Sequence, residues 1–368
     1  MDLRLPVGPR VRKSPFFDAA AADGMTHATV YNHMIMPVHY GDAAAEYDRL
    51  INGVAMWDVA VQRQVEIAGP DADTLTRYLT TRDLSDTRKG QGRYAPLCDH
   101  DGVLINDPVL LPLPDGRYWL SLADSDIRLW AAAIAAERGL DVRISEPDVS
   151  PLAVQGPKAE AVVAVLVGDW VKDLRFFAFD TCELDGIPLL IARSGWSKQG
   201  GFELYLLDGS RGVELWNKIK EAGKPFDIGP GAPNHIERIE SGLLSYGADT
   251  DERSNPYELG LGKYVDLDRD EDFIGKTALT KIFEAGPARR QVGLFIEGEP
   301  VESNPHRYPV MRGDKQIGSM SVTTYSPRLS RSIAIALVDA PAAQDGLALR
   351  VAFPDGIRQA TVTGLPFC

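Results

Sequence analysis

Apolar residues recur at helical spacing in several separate stretches of this chain. Residues 42–57 (DAAAEYDRLINGVAMW) predict a helix that runs into the strand VQRQVEIAG, and DADTLTRYLTTRDL predicts the next helix. The clearest helix is DSDIRLWAAAIAAERG, in which Asp124 or Ser125 can cap the start and Gly139 the end. Together with the strand patterns between them, these helices predict a small α+β unit over residues 58–146.

The later part of the chain changes from mixed to extended patterns. EPDVSPLAVQ predicts a strand, a turn follows at Gly156, and PNHIERIESGLLSYG predicts a helix that Gly242 or Gly247 can close. From Arg289 onward, short alternating stretches with glycine turns replace the helical patterns. On this spacing we expect an all-β module of about 80 residues.

One stretch, SGWSKQGGFELYL, alternates strictly after a pair of glycines. The period of two predicts a strand on which Phe202, Leu204 and Leu206 share one face. Glu203 and Tyr205 share the other face. If that second face points inward, the carboxylate needs hydrogen-bond donors, such as those of a bound ligand. On a solvated face the pair has no functional meaning, and the alternation alone leaves both interpretations open.

A predicted hairpin, RYAPLCDHDGVLINDPVLLP, turns at residues 100–102 and leads into Asn106, Asp107 and Pro108. Because a proline cannot donate to a central ladder, this tripeptide marks an edge, a bulge or the exit of a strand. Turn chemistry is one interpretation of the two polar residues, and a catalytic site is the other.

Aromatic residues concentrate shortly before and inside the alternating stretch, at Trp170, Phe176, Phe177, Phe179 and Trp196. Packing in a hydrophobic core is one interpretation of this group. A pocket for a flat heterocycle, or a cage that holds an onium cation by cation–π attraction, is the other.

Composition limits the classes of protein that remain. The 368 residues suggest two or three domains, and the net charge of −13 argues against a nucleic-acid-binding protein. The three cysteines form no CxxC motif and the six histidines are scattered, so neither a disulfide framework nor a metal site is predicted. The stretch MDLRLPVGPRVRKSPFF lacks the apolar core of a signal peptide, and no apolar run is long enough to span a bilayer. We therefore expect a cytoplasmic protein without a membrane or nucleic-acid partner.

Several segments match a known pattern in the same order along almost the whole chain. They are MWDVAVQRQVEIAGPDADTLTRYL, GVLINDPVLL, SGWSKQGGFELYL, IERIESGLLSYGAD, NPYELGLGKYVDLDRDEDFIGKTAL and IGSMSVTTYSPRLSRSIAIALV. In this order they resemble the folate-dependent aminomethyltransferase family, whose best-known member is the T-protein of the glycine cleavage system. The resemblance implies an α+β fold with three domains in a cloverleaf around a central hole that holds tetrahydrofolate, and a C-terminal all-β, barrel-like domain.

The resemblance also implies domain boundaries. We expect a discontinuous folate-binding α+β domain of residues 1–50 and 147–255, a second α+β domain of residues 51–146, a linker at residues 256–285, and a barrel-like domain of residues 286–368.

By the same resemblance Glu203 binds the folate, since a carboxylate suits the amino group and ring N–H at the donor edge of the pterin. Other positions depart from the T-protein pattern. The first aspartate of a family DD pair is Asn106 here, an arginine is Asn234, an asparagine is Leu122, and a Gly-Glu pair is Lys198-Gln199. These departures argue against ordinary glycine cleavage and against a lipoyl carrier protein as partner.

A further group of segments resembles one branch of the family. They are TVYNHMIMP, SLADSD, EPDVSPLAVQGPK, ARSGWSKQGGFELY and PNHIERIESGLLSYG. The branch transfers a methyl group from the sulfonium of dimethylsulfoniopropionate to N5 of tetrahydrofolate, giving 3-(methylthio)propionate and 5-methyltetrahydrofolate. A sulfonium leaves as a neutral thioether and needs no acid to protonate it, which suits the loss of one aspartate. Two alternatives remain: another folate-dependent methyl or aminomethyl transfer, and a folate-binding relative without catalysis.

The resemblance and the aromatic pattern together give the expected roles. The residues expected to be catalytic are Asp107, which can accept the N5 proton, and Asn106. Those expected to bind tetrahydrofolate are Glu203, Tyr205, Tyr94, Trp170 and Phe177. Those expected to bind the sulfonium substrate are Trp196, Tyr31, Lys198 and Arg193, the last two chosen for the substrate carboxylate by their position in the sequence alone. The sequence does not determine the oligomeric state, for which it leaves a homodimer open.

Overall fold

The computed structural model describes residues 8–304 and 306–368. Residues 1–7, where the stretch assessed for a signal peptide begins, lie outside the described residues. The α-helices are α1 (Phe17–Ala22), α2 (Ala43–Asn52), α3 (Ala72–Leu79), α4 (Ile127–Glu137), α5 (Ala159–Val167), α6 (Gly212–Gly223), α7 (His235–Glu240) and α8 (Lys276–Ala285). The strands are β1 (His27–Tyr31), β2 (Met34–His39), β3 (Ala55–Asp58), β4 (Gln64–Ala68), β5 (Arg93–Tyr94), β6 (Leu97–Cys98), β7 (Leu104–Asn106), β8 (Val109–Pro112), β9 (Tyr118–Ser121), β10 (Arg143–Ser145), β11 (Ser150–Gln155), β12 (Phe179–Leu184), β13 (Ile187–Ala192), β14 (Gly201–Leu206), β15 (Gly229–Gly231), β16 (Arg289–Ile296), β17 (Tyr308–Arg312), β18 (Lys315–Ser326), β19 (Arg331–Asp339), β20 (Ala348–Phe353) and β21 (Gly356–Thr363).

The chain divides into two compact units. Unit 1 comprises Met1–Ala72, Thr87–Arg93 and Val109–Asn234, and unit 2 comprises Asp73–Asp86, Tyr94–Pro108 and His235–Cys368. Residues 256–285, predicted to be a linker, contain helix α8 and bury Phe273 and Leu279. The predicted division into domains and a linker stays a prediction.

Unit 1 contains a six-stranded sheet in the order β12-β13-β14-β11-β3-β15. Neighbouring strands run antiparallel, except that β15 runs parallel to β3. Helix α5 packs on β14 and α6 packs on α5, and Phe202, Leu204 and Trp216 are buried in the core between them. Burial of each such large apolar side chain contributes about 1.5–3 kcal/mol to the free energy of unfolding. This core fixes the position of β14.

The opposite face of β14 is buried as well. Tyr205 lies in a second cluster with Leu111 and Trp119, which belong to β8 and β9 of a neighbouring sheet. That sheet has five strands in the order β10-β4-β9-β8-β5, and its first four pair antiparallel. The alternating stretch therefore has a core on each side, and the face that carries Glu203 and Tyr205 points inward.

Helix α4 is confirmed, whereas its predicted cap is wrong. The N-cap residue is Asp126, whose own side chain makes no capping hydrogen bond. Asp124 instead accepts a 2.8 Å hydrogen bond from the backbone N–H of Asn32, because the turn between β1 and β2 brings that donor to it. Gly139 follows the helix with a φ of 65°, as predicted.

Unit 2 contains the predicted hairpin and the C-terminal barrel. Strands β6 and β7 pair antiparallel, and Gly102 adopts a φ of 80° in the turn between them. Helix α7 ends before Gly242, whose φ of 61° stops it. The strands β16-β19-β18-β17-β20-β21 close a barrel around Leu294, Val310 and Met320. The predicted fold class, α+β with an all-β barrel at the C-terminal side, is confirmed.

Candidate functional site

Glu203 lies on β14 with 4% of its surface exposed. Ser194 Oγ donates a hydrogen bond to its Oε2 at 2.5 Å, and Tyr205 Oη donates to the same oxygen at 3.3 Å. Burial raises the pKa of Glu203, while hydrogen bonds from Ser194, Tyr205 and Gln62 oppose that rise. A carboxylate accepts about four hydrogen bonds, so Glu203 keeps capacity for donors of a ligand. Sequence reasoning missed Ser194 and Gln62, which stand outside the alternating strand.

Gly195 in the loop before β14 and Gly201 at the start of the strand lie against the side chain of Gln155. Gln155 Nε2 donates to the carbonyl of Ser194 at 3.1 Å, and Ser197 Oγ donates to Gln155 Oε1 at 2.8 Å. A Cβ at Gly195 or Gly201, whose φ angles are 152° and 151°, would overlap the Gln155 carboxamide. Gln155 therefore fixes the loop that leads into β14. Sequence reasoning missed it, although a polar residue that ends the strand SPLAVQ was a usable signal.

Phe177, predicted to bind folate, has a strained backbone. Its φ is 64°, which bulky residues rarely adopt. Its N–H donates to the carbonyl of Arg193 at 2.9 Å, and its carbonyl accepts from the N–H of Gly92 at 2.7 Å. Strained residues of this kind cluster at functional sites, which favours a ligand-binding role for Phe177.

The other predicted aromatic residues of unit 1 are half-buried or packed in cores. Trp170 is half-buried and donates its Nε1–H to the Val167 carbonyl at 2.8 Å. Tyr31 packs at the margin of the main core, Trp196 is half-buried, and Tyr205 is fully buried. Among the ring contacts of the described residues, none joins Trp170, Trp196 or Tyr205 to another of the three. The cation cage stays a prediction.

Arg193 and Lys198 were expected to contact the substrate carboxylate. The guanidinium of Arg193 donates to Glu160 at 2.7 Å and to the carbonyl of Leu174 at 3.2 Å. Its Cζ lies 5.3 Å from the ring centroid of Phe202. Arg193 therefore already has partners within unit 1. Lys198 is exposed, and the substrate contact of both residues stays a prediction.

Tyr94 and Asp107 meet in unit 2. Tyr94 Oη donates a 2.5 Å hydrogen bond to Asp107 Oδ2. Asp107 Oδ1 is buried and has no hydrogen-bond partner among the residues that the structure describes. Burial raises the pKa of Asp107 to about 7, although the hydrogen bond from Tyr94 opposes that rise. Burial also raises the pKa of Tyr94, which keeps its phenol protonated as the donor.

Asn106, the other residue predicted to be catalytic, is fully buried on β7 opposite Leu97. The pairing of β6 and β7 brings Tyr94 and Asp107 together although they are 13 residues apart in sequence. Sequence reasoning missed Tyr264, whose ring centroid lies 5.0 Å from that of Tyr94. No periodic signal links that tyrosine to the hairpin, because it is far away along the chain.

Both units thus offer a buried acid with further hydrogen-bonding capacity. Glu203 suits a heterocycle that presents N–H donors. Asp107, with a pKa of about 7, suits proton transfer at neutral pH. The described residues hold no cluster of His, Cys, Asp or Glu that could bind a metal ion. In that same part of the chain, no helix is both long and apolar enough to cross a lipid bilayer.

Two protein-family models match most of the chain. The family model of the GCVT N-terminal domain matches residues 16–269, and that of the glycine cleavage T-protein C-terminal barrel domain matches residues 289–368. A dimethylsulfoniopropionate demethylase of Ruegeria pomeroyi is 43% identical over 353 residues, which cover 96% of each chain. An aminomethyltransferase of Caldanaerobacter subterraneus is 32% identical over 323 residues, 86% of this chain and 85% of the relative.

A solved structure shows the same fold. It is the crystal structure of the glycine cleavage system aminomethyltransferase T from Bartonella henselae, which matches with a TM-score of 0.85 and 21% sequence identity. The match covers 97% of this chain and 98% of the other.

Proposed function

The chain belongs to the glycine cleavage T-protein family, and we propose that it is a tetrahydrofolate-dependent methyltransferase that demethylates dimethylsulfoniopropionate. The full-length similarity to a demethylase of that compound carries the proposal. The S–CH₃ bond breaks with its electron pair staying on sulfur, the methyl group forms a bond to N5 of tetrahydrofolate, and the N5 proton is released. The products are 3-(methylthio)propionate and 5-methyltetrahydrofolate.

Glu203 binds the donor edge of the pterin in this proposal. Ser194 and Tyr205 already orient its carboxyl, so little conformational freedom is lost when a ligand binds. Its remaining acceptor capacity suits the amino group and ring N–H of a pterin. Trp170 and Phe177 supply flat surfaces for the ring system. The buried, partly satisfied acid therefore fits tetrahydrofolate.

Asp107 accepts the proton that N5 releases. Its unpartnered Oδ1 is the acceptor, and a pKa of about 7 allows the carboxyl to take up and release a proton near neutral pH. Asn106 beside it is a neutral amide, which suits a donor that leaves as a thioether and needs no acid.

The substrate sulfonium contacts aromatic faces rather than an acid. Trp196 and Tyr31 are the residues proposed for this contact, each cation–π contact contributing about 0.5–2 kcal/mol. Such faces stabilise a positive charge without offering a nucleophile that would capture the methyl group. Because the donor is a free small molecule, no lipoyl carrier protein takes part. A homodimer and a cytoplasmic location remain sequence-based predictions.

Turnover by the purified protein tests the proposal. Incubation with dimethylsulfoniopropionate and tetrahydrofolate should yield 3-(methylthio)propionate and 5-methyltetrahydrofolate in equal amounts, measured by chromatography. Neither product should form when either substrate is omitted. If the sulfonium gave no product while a methylated amine or an aminomethyl-lipoyl protein were turned over, aminomethyltransferase-like chemistry would replace this assignment. If nothing were turned over but tetrahydrofolate bound, the folate-binding relative would replace it.

A further inference from the structure

Two cations lie over the ring of Tyr264 in unit 2. The Cζ of Arg82 lies 5.2 Å from the ring centroid, and the Nζ of Lys263 lies 5.0 Å from it. Arg82 is half-buried and Lys263 is exposed. Contacts of this kind contribute about 0.5–1 kcal/mol each at exposed sites, so they hold the cations in place without neutralising them.

Neither cation has a carboxylate partner among the residues that the structure describes. Other arginines of unit 2 do: Arg77 pairs with Asp73 at 2.7 Å, and Arg289 pairs with Glu258 at 2.8 Å. The guanidinium of Arg82 donates from Nη1 to the carbonyl of Tyr94 at 3.1 Å. A guanidinium carries five N–H donors, so most of them stay available for an anion.

The acidic residues nearest in sequence are engaged elsewhere. Asp83 accepts hydrogen bonds from the backbone N–H of Ser85 at 2.8 Å and from the Ser85 hydroxyl at 2.7 Å. Asp266 Oδ2 accepts from the backbone N–H of Asp83 at 2.7 Å. Both positive charges would attract a bound anion.

This pair of cations is connected to the carboxyl that is proposed to take the N5 proton. The ring of Tyr264 lies 5.0 Å from the ring of Tyr94, centroid to centroid. Tyr94 in turn donates its hydroxyl to Asp107 at 2.5 Å. Arg82, through the Tyr94 carbonyl, and Lys263, through the Tyr264 ring, therefore belong to one contiguous group of side chains with Asp107.

We propose that Arg82 and Lys263 bind a carboxylate of a ligand of this reaction. Guanidinium and ammonium groups are the usual partners of carboxylates, and an arginine can hold one through two parallel hydrogen bonds. Both proposed substrates carry the required chemistry: dimethylsulfoniopropionate has one carboxylate, and tetrahydrofolate has those of its glutamate. The inference rests on the proposed function, and its test measures binding directly so that the two can fail separately.

The test combines three variants with two truncated ligands. The variants are Arg82→Gln, Lys263→Gln and, as the matched control, Lys315→Gln, whose side chain is exposed at the start of β18. Dissociation constants are measured by calorimetry without oxygen, for tetrahydrofolate and for 6-methyltetrahydropterin, which keeps the pterin and has no carboxylate. The same measurement is made for dimethylsulfoniopropionate and for a trimethylsulfonium salt.

We expect Arg82→Gln to weaken binding of one carboxylate-bearing ligand about tenfold, as the loss of a charged hydrogen bond would. Lys263→Gln should have a smaller effect, because its side chain is exposed, and Lys315→Gln should have none. Binding of the truncated counterpart should not change. A loss confined to tetrahydrofolate assigns the site to the glutamyl tail, and a loss confined to dimethylsulfoniopropionate assigns it to the substrate carboxylate.

If the variants lost equal affinity for the ligands with a carboxylate and for those without one, the two cations would only stabilise the fold. That result would overturn the proposal. Unchanged binding of every ligand would overturn it as well. A protein that bound tetrahydrofolate with the expected sensitivity to Arg82→Gln, yet released no 3-(methylthio)propionate, would support the carboxylate site and refute the proposed function.

Discussion

Tyr94 donates a 2.5 Å hydrogen bond to one oxygen of Asp107, and the other oxygen of that buried carboxyl has no partner among the described residues. This hydrogen-bonded pair predicts that the rate of demethylation depends on pH. The proposed base is the ionised form of Asp107, whose pKa is raised to about 7 by burial. We expect kcat/KM for demethylation to fall as the pH drops below about 7. A pH–rate profile with a single acidic limb would measure this pKa.

Tyr94→Phe keeps the ring and removes the hydroxyl. The hydrogen bond from Tyr94 lowers the pKa of Asp107, so its loss should move the acidic limb to higher pH. Tyr257→Phe is the control, since Tyr257 Oη is buried in the same unit without a hydrogen-bond partner among the described residues. If the acidic limb of the pH–rate profile stayed in place or moved to lower pH, the hydroxyl of Tyr94 would not lower the pKa of Asp107.

Asp107 should also lower the stability of the folded protein at high pH. Its pKa in the folded state, about 7, lies above the ordinary value of 3.8, so the folded state binds more protons than the unfolded state between these values. The free energy of unfolding therefore falls as the pH rises from about 4 to 7. Asp107→Asn should raise it by roughly 1–3 kcal/mol at pH 8, and by much less at pH 5.

Urea denaturation of Asp107→Asn at both pH values checks the sign. Asp345→Asn, at an exposed position before β20, provides the control and should change stability at neither pH. Destabilisation by Asp107→Asn at pH 8 would mean that the carboxylate has a favourable partner in the folded state.

The alternation of FELYL predicted the strand and the sharing of one face by Glu203 and Tyr205. It could not say whether that face points inward, because the cover is supplied by Leu111 and Trp119 of another sheet. Periodicity describes one segment, and the neighbour that buries it is chosen by the tertiary fold.

The hairpin of β6 and β7 shows the same limit of sequence-based prediction for residues that are close together in the chain. Its turn at Gly102 was predicted, but the meeting of Tyr94 and Asp107 depends on the register of β6 and β7, which includes an irregularity between Leu97 and Cys98. Such a shift changes which side chains face each other and leaves no mark on the hydrophobic pattern. Asp107 was predicted through the resemblance and Tyr94 as an aromatic residue of the pocket, and their hydrogen bond was not predicted.

The donors to Glu203 should matter for folate binding. Glu203→Gln removes the charge that the pterin donors require, and we expect it to weaken tetrahydrofolate binding at least about tenfold. Ser194→Ala removes one donor that orients the carboxyl, and a loss of about threefold is expected. Both dissociation constants can be measured by calorimetry.

Ser210→Ala is the matched control for Ser194→Ala, because Ser210 is exposed and hydrogen-bonds only to Asp208 among the described residues. It should bind tetrahydrofolate as the unchanged protein does. Undiminished binding by Glu203→Gln would show that the pterin lies elsewhere, whatever the stability of the variant.

The loop before β14 offers a pair of glycines that separate backbone strain from steric overlap. Gly195 and Gly200 both have positive φ angles, of 152° and 80°. An added Cβ at Gly200 meets nothing within 4 Å, whereas at Gly195 it would overlap the Gln155 carboxamide. Gly200→Ala should therefore cost about 1–2 kcal/mol from strain alone. Gly195→Ala should cost roughly 2–5 kcal/mol, because the hydrogen bonds of Gln155 are lost as well.

A double-mutant cycle identifies the cause. The three atoms nearest to an added Cβ at Gly195 all belong to the Gln155 side chain, so Gln155→Ala should make room for the added methyl group. Once Gln155 is gone, the steric part of the cost of Gly195→Ala should disappear and the strain of its backbone should remain. The coupling energy between positions 155 and 195 should then be at least about 1 kcal/mol. Urea denaturation of the four proteins gives this coupling. If the two changes in the free energy of unfolding simply added, glycine would be required at position 195 by the backbone conformation and not by contact with Gln155.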